Sequence, residues 1–175
     1  MSENIRVLIS EEEIEKRILE MAKEISEFYK GEEVHLVSVL KGGVFFTCEL
    51  AKRLTVPVSI DFMSVSSYGN DTKSSGVVKV IKDLDEAIEG KNVLVVEDII
   101  DSGRTLSYLM ENLKSRKPKS LHLCTLLDKL ERRVIDVQVD YTGFAIPDEF
   151  VVGYGLDYMQ HYRNLPYIGV VELEA

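Results

Sequence analysis

The chain reads as an α/β protein built on a mostly parallel β-sheet with helices on both faces. Three observations predict this. An apolar strand, a glycine-bearing loop, a helix and another apolar strand follow one another at least twice. The strand candidates, among them "VHLVSVL" (Val34 to Leu40), are nearly continuous apolar runs, the pattern of strands buried on both sides. The 175 residues suffice for one domain with a sizeable core and are short for two, so residues 1–175 are expected to form a single domain.

The elements follow in order. Ser10 and Glu13 make a capping-box pattern, and Ile14, Ile18, Met21, Ile25 and Phe28 recur at helical spacing, with Gly31 closing the helix. After Val34 to Leu40 comes Lys41-Gly42-Gly43, then a helix from Val44 to Leu54 that must stop before Pro57. Val58 to Tyr68 reads as a strand. The polar "GNDTKSSG" (Gly69 to Gly76) reads on composition as a plain hairpin loop leading to "VVKVIK". "EAIEG" (Glu86 to Gly90) reads as a short helical turn, Asn92 to Val96 as a strand, Thr105 to Ser115 as a helix and Ser120 to Leu127 as a strand. Val134 to Ala175 reads as short strands broken by Pro147 and Pro166. In a parallel sheet of this kind ligands bind beyond the C-terminal strand ends. Three loops open there: Lys41-Gly42-Gly43, Glu97 to Thr105, and the one after Leu127.

Composition narrows the function. Apolar residues at 45% and charged ones at 29% are those of an ordinary globular protein. The net charge of −9 argues against a nucleic-acid binder, whose affinity comes from cations on phosphates. The basic "KSRKPK" (Lys114 to Lys119) reads as a solvated helix end stopped by Pro118. No stretch has the length of a membrane span and no secretory pattern opens the chain, so a cytoplasmic protein is expected. Cys48 and Cys124 lack CxxC spacing and read as buried thiols; the three histidines form no zinc-type pair.

The chemistry concentrates in "VLVVEDIIDSGRT" (Val93 to Thr105). Gly103 admits a tight turn, Ser102 and Thr105 supply hydroxyls, Arg104 a cation, and the loop runs into a helix whose free N–H groups attract an anion. The spacing is not that of a P-loop, and "GYGLDY" lacks the third glycine of a dinucleotide fingerprint. The loop suits a monophosphate. Glu97 and Asp98, adjacent carboxylates at a buried strand end, need hydroxyls, cations or a divalent metal beside them. Together these describe a ribose 5-phosphate with magnesium.

Hydrophobic residues, two acids, two apolar residues and Asp-Ser-Gly-x-Thr resemble the signature of type I phosphoribosyltransferases. "SVLKGG", "SSYGN", "VEDIIDSGRTL", "LLDKLERR", "IPDEFVVGYGLDY" and "YRNLPYIGV" resemble, in this order, the blocks of the hypoxanthine(-guanine) members, from about Ile9 to Val171. The resemblance implies the type I fold, with a mobile lid loop at about 66–77 and a small hood from about 147–175 with the N-terminal segment. It implies a purine salvage enzyme that moves phosphoribose from 5-phosphoribosyl 1-diphosphate (PRPP) to N9 of hypoxanthine or guanine. IMP or GMP and diphosphate are released, with Mg2+, through an oxocarbenium-like transition state. Asp101 to Thr105 would hold the 5-phosphate, Asp101 also acting as base and acid at N7. Glu97 and Asp98 would face the ribose hydroxyls and metal, with Asp157 as a further metal ligand near the purine. Lys41, Gly42, Arg163, Ser67 and Tyr68 would serve the diphosphate, the loop at Leu40–Lys41 often carrying a cis peptide in the family. Lys129, Phe150, Val151 and Asp157 would bind the purine, Lys129 donating to its 6-oxo group. Here the resemblance reverses the plain-loop reading of Gly69 to Gly76. Arg104 stands where many relatives carry lysine. The resemblance also implies a homodimer or homotetramer, relatives usually being one or the other. Two rivals are an RNA-binding regulator on the same fold, disfavoured by the acidic balance, and a sister enzyme for xanthine, adenine or orotate.

Overall fold

The computed structural model describes residues 3–67 and 78–173. Nine strands and three α-helices, besides a short 3-10 helix at Leu130–Arg132, occur among them in the order β1 (Glu3–Ile9), α1 (Glu11–Phe28), β2 (Val34–Val39), α2 (Val44–Arg53), β3 (Val58–Ser67), β4 (Val78–Lys82), β5 (Asn92–Ile100), α3 (Arg104–Ser115), β6 (Ser120–Asp128), β7 (Tyr141–Ala145), β8 (Val151–Val152) and β9 (Ile168–Leu173). The main sheet has six strands in the order β4-β3-β2-β5-β6-β7. Its pairings are parallel except β3 with β4, the antiparallel edge. A second sheet, β1-β9-β8, is antiparallel.

The continuous apolar runs are explained by burial on both faces. Along β5, Leu94 and Val96 join a cluster with Ile14, Ile18, Met21 and Ile25 of α1 and Phe46 and Leu50 of α2. Val93 and Val95, alternating with them, join Leu106, Leu109 and Leu113 of α3 on the opposite face. Each such fully buried side chain contributes roughly 1.5–3 kcal/mol relative to exposure, so both helical layers are pinned to the central strands. Arg17 ties α1 to β7 by donating to the carbonyls of Gly143 (3.0 Å) and Thr142 (2.7 Å).

Several expectations are corrected. The N-terminal segment, given no element above, is a strand: "ENIRVLI" pairs with β9 at the far end of the chain, from Glu3 with Leu173 to Ile9 with Ile168, a partnership its short pattern does not announce. "EAIEG" is a turn and not helical. The buried Asp61 carboxylate accepts from the Asp85 and Glu86 N–H groups (2.9 and 3.2 Å), and Ile88 is drawn into the core. The strand at Asn92 extends past Val96 to Ile100. Cys48 is exposed on α2, whereas Cys124 is buried. Among the described residues no helix is long and apolar enough to cross a membrane. Most of the lid at 66–77, Tyr68 included, lies outside the described residues.

Ser10 caps α1 as the capping pattern requires, its hydroxyl oxygen accepting from the Glu13 N–H at 3.2 Å. Ser10→Ala is expected to cost about 1 kcal/mol, read as a lower urea midpoint with an unchanged slope.

Candidate functional site

The site forms where β5 loses one neighbour and keeps the other. Its pairing with β2 ends at Ser38–Val96, whereas its pairing with β6 continues to Ile100–Asp128. Glu97 and Asp98 therefore lie where the chain after β2 turns away, and that chain is Lys41-Gly42. A Cβ on Gly42 would overlap the Asp98 carboxylate, so this close approach is open to glycine alone. The Leu40–Lys41 peptide is cis. Asp98 is nearly buried, and its carboxylate accepts from the Ile99 N–H at 2.8 Å. Burial, and next the Asp98 charge, push the Glu97 carboxyl well above the usual carboxylate range. Glu97 nonetheless keeps a partly accessible side chain.

Beyond Ile100 the chain turns through Asp101-Ser102-Gly103 into α3. Gly103 sits at φ 85°, the left-handed region that glycine enters without penalty. Its backbone packs so tightly against the Ile135 carbonyl that a side chain there would collide. The Ser102 hydroxyl accepts from the Arg104 N–H (3.3 Å), and the Ser102 carbonyl accepts from Val134 and Ile135 (2.9 and 3.1 Å). Glu97, Asp101, Ser102, Gly103 and Thr105 line a cavity of about 250 Å³, with the N-terminus of α3 at its wall. Carboxylates, hydroxyls and helix N–H groups share one hollow.

Across the mouth lies the turn from Gly153 to Arg163. A Cβ on Gly155 would overlap the Gly42 carbonyl, so the two loops touch through glycine on both sides. Arg163 donates to the Gly155 carbonyl (2.7 Å) and to Gln160 Oε1 (3.1 Å), and pairs with Asp157 (3.3 Å). Lys41 Nζ reaches the same Gln160 oxygen at 3.3 Å. Lys41, Gly42, Asp157 and Arg163, far apart in sequence, are thus gathered. Met159 and Gln160, both at positive φ between the mutually bonded Tyr158 and His161, form the two-residue turn that presents Gln160.

A third wall follows β6. The Lys129 N–H bonds the Ile100 carbonyl (3.0 Å), and Lys129 itself is nearly buried. Its Nζ lies 3.7 Å from Asp148 Oδ1. Arg132 bridges Asp148 (3.6 Å) and Asp101 (3.0 Å). Phe150 is 55% exposed, its ring edge-on to Tyr158 at 5.6 Å, so it is no core aromatic. Val151, next to it, is buried in β8. Ser67 ends β3.

Reading the sequence misses Asp148, Arg132 and Gln160. The first two stand inside quoted blocks, but only their contacts mark them; nothing in the sequence marks Gln160. One expected grouping does not form. Among the described residues no three carboxylate, imidazole or thiolate groups converge, so Asp157 is not joined to Glu97 and Asp98 as a metal cluster, and it pairs with Arg163 instead. Glu97 and Asp98 by themselves suit magnesium, which takes one or two protein carboxylates and completes its shell with substrate oxygens. No cation among the described side chains lies within ion-pair distance of either.

An acid whose folded pKa is raised contributes stability when protonated and loses it as pH rises from the unfolded value through the folded one. Glu97→Gln is therefore expected to raise the melting temperature of the ligand-free protein at pH 7–8. The gain should vanish below about pH 4.5, the ordinary glutamate value.

Comparison with known proteins agrees with this geometry. Residues 8–159 match the phosphoribosyl transferase domain family. The hypoxanthine phosphoribosyltransferase of Salmonella typhimurium is 54% identical over 175 residues, 99% of this chain and 98% of that protein. The bifunctional protein TilS/HprT of Listeria monocytogenes is 55% identical over 97% of this chain, which spans only about a quarter (26%) of that protein's length. A crystal structure of a hypoxanthine-guanine phosphoribosyltransferase from Bacillus anthracis, with HEPES in its active site, superposes with a TM-score of 0.93 at 50% identity, covering 97% of this chain and all of that one. With the glycine turn, the paired acids and Lys129 all inside the matched span, the chain belongs to the phosphoribosyltransferase family, among its hypoxanthine and hypoxanthine-guanine members.

Proposed function

We propose that this chain transfers 5-phosphoribose from PRPP to N9 of hypoxanthine and of guanine, forming IMP or GMP and releasing diphosphate. The observation that supports the reading is that Glu97, next to Asp98, shares one hollow with the turn at Asp101 to Thr105, while Lys129 is linked to Asp101 through Asp148 and Arg132.

The N-terminus of α3 and the hydroxyls of Ser102 and Thr105 hold the 5-phosphate, with Arg104 adding charge. Glu97 and Asp98 accept from the ribose hydroxyls. Lys41, the Gly42 backbone and Arg163 hold the diphosphate, joined by Ser67 and Tyr68 when the lid closes. Magnesium, which Glu97 and Asp98 would hold with PRPP oxygens, supplies a compact dication beside the departing charge. Asp157 serves the purine side and the metal's surroundings through Arg163. The C1–diphosphate bond breaks as the bond from N9 to C1 forms, and the N7 proton passes to Asp101. Phe150 stacks on the purine, Val151 offers its backbone at the 2-position, and Lys129 donates to the 6-oxo oxygen. Adenine presents an amino donor there and is refused.

Two unpaired thiols fit a cytoplasmic setting. Exposed apolar side chains such as Phe45 and Ile60 suit association into a homodimer or homotetramer.

The test is magnesium-dependent diphosphate release from PRPP with hypoxanthine, guanine, xanthine and adenine in turn. Hypoxanthine and guanine are expected to react, with adenine at least about a hundredfold slower. Asp101→Asn is expected to lower kcat by at least about a hundredfold. Reaction with xanthine alone would overturn the purine-pocket assignment. Gly42→Ala, which must displace either the loop or Asp98, is expected to lower kcat/KM for PRPP by roughly a hundredfold. Retained activity would show that the close approach is dispensable.

A further inference from the structure

Asp101, the residue placed at the purine N7, is not free in this structure. Its Oδ1 accepts from Arg132 Nε at 3.0 Å. The other side of the same guanidinium faces Asp148 (Nη1 to Oδ2, 3.6 Å), and the second Asp148 oxygen faces Lys129 Nζ at 3.7 Å. Acid, cation, acid and cation therefore form one row from the reacting end of the site to the purine-reading end. Apart from the bond of Arg132 to Asp101, neither Arg132 nor Asp148 is ion-paired, among the described residues, with a group placed at the ribose or the phosphate, and the reaction as described uses neither.

The row has a built-in exchange. Asp148 divides its charge between Lys129 and Arg132, and Arg132 divides its donors between Asp148 and Asp101. A 6-oxo oxygen accepting from Lys129 competes with Asp148 for that ammonium. Asp148 is then left with Arg132 as its main partner, and the planar fork of arginine suits a carboxylate well. Each step toward Asp148 loosens the hold on Asp101. We infer that Arg132 and Asp148 are positioning residues that keep the Asp101 carboxylate parked until a 6-oxopurine engages Lys129, and then release it toward N7. Arg132 keeps its proton throughout; the only proton moved is the one from N7 to Asp101. The inference rests on the proposed roles of Asp101 and Lys129.

Such surface pairs contribute little to stability, and Arg132 is half exposed (53%), so its variants should fold. Arg132→Gln is expected to lower kcat with hypoxanthine about tenfold, because an Asp101 carboxylate that no guanidinium holds starts from many side-chain positions instead of the one beside the purine end, and a base left unaimed costs rate, while KM for PRPP stays within about twofold. Arg132→Lys, a cation without the fork, should fall between Arg132→Gln and the parent. Asp148→Asn leaves Arg132 on Asp101 and should also lower kcat. Since the residues act in one row, the Arg132→Gln/Asp148→Asn pair should be no slower than the slower single variant. The relay is overturned if Arg132→Gln keeps its kcat, if only KM for PRPP changes, or if the two losses multiply. A parent inactive with every purine would remove the proposed function and the relay with it. An active parent with an indifferent Arg132→Gln removes the relay alone.

Discussion

The constraint on which the rest depends is the unequal pairing of β5. One edge is hydrogen-bonded to β6 as far as Ile100, while on the other edge β2 pairs only to Val96. The strand is thus rigid out to its tip, yet opens a gap beside Glu97 and Asp98. Two carboxylates are held at the edge of a packed core, where neither has a cation for a partner among the described side chains, and the glycine loop fills the gap from the other side. A strand released from both neighbours would let the acids turn toward bulk water. One paired on both sides would leave no room for a ligand.

The surrounding cations make chemical sense against that background. The chain carries a net charge of −9, yet Lys41, Lys129, Arg132 and Arg163 stand among the groups of the site. Several are held by acids of the site itself, Arg163 by Asp157 and Arg132 by Asp101 and Asp148. Pairs this exposed add little to folding; their value is that donors are already oriented before an anionic substrate arrives. The desolvation that pushes the Glu97 carboxyl upward is a stability cost concentrated at the site, the usual mark of a group kept for function.

Two sheets divide the work. The parallel sheet and α3 carry the paired acids and the glycine turn. The small β1-β9-β8 sheet carries Val151 in β8 and so fixes where the exposed Phe150 stands, edge-on to Tyr158. Because β1 and β8 both pair with β9, β1 and β9 meet there, and the placing of Phe150 depends on the longest-range strand pairing among the described residues.

Much of this is legible from residues alone. The capped α1, the doubly buried strands, the glycine turn at Gly103 and the monophosphate chemistry follow from local pattern, because period, capping and turn geometry depend on near neighbours. The blocks around Lys129 and Phe150 supply the purine roles only through their resemblance to a family. Tertiary structure alone decides the rest. β1 has too short a pattern to announce a partner at the far end of the chain, and the turn at Glu86 to Gly90 is shaped by a carboxylate, Asp61, from another strand. Cys48 is exposed because α2 turns that face outward. Asp157 joins Arg163 rather than Glu97 and Asp98, and Arg132 joins Asp101 to Asp148, because contacts between distant loops are set by how strands stack. Residue identity determined the chemistry available; the register of β5 between unequal neighbours decided which groups meet.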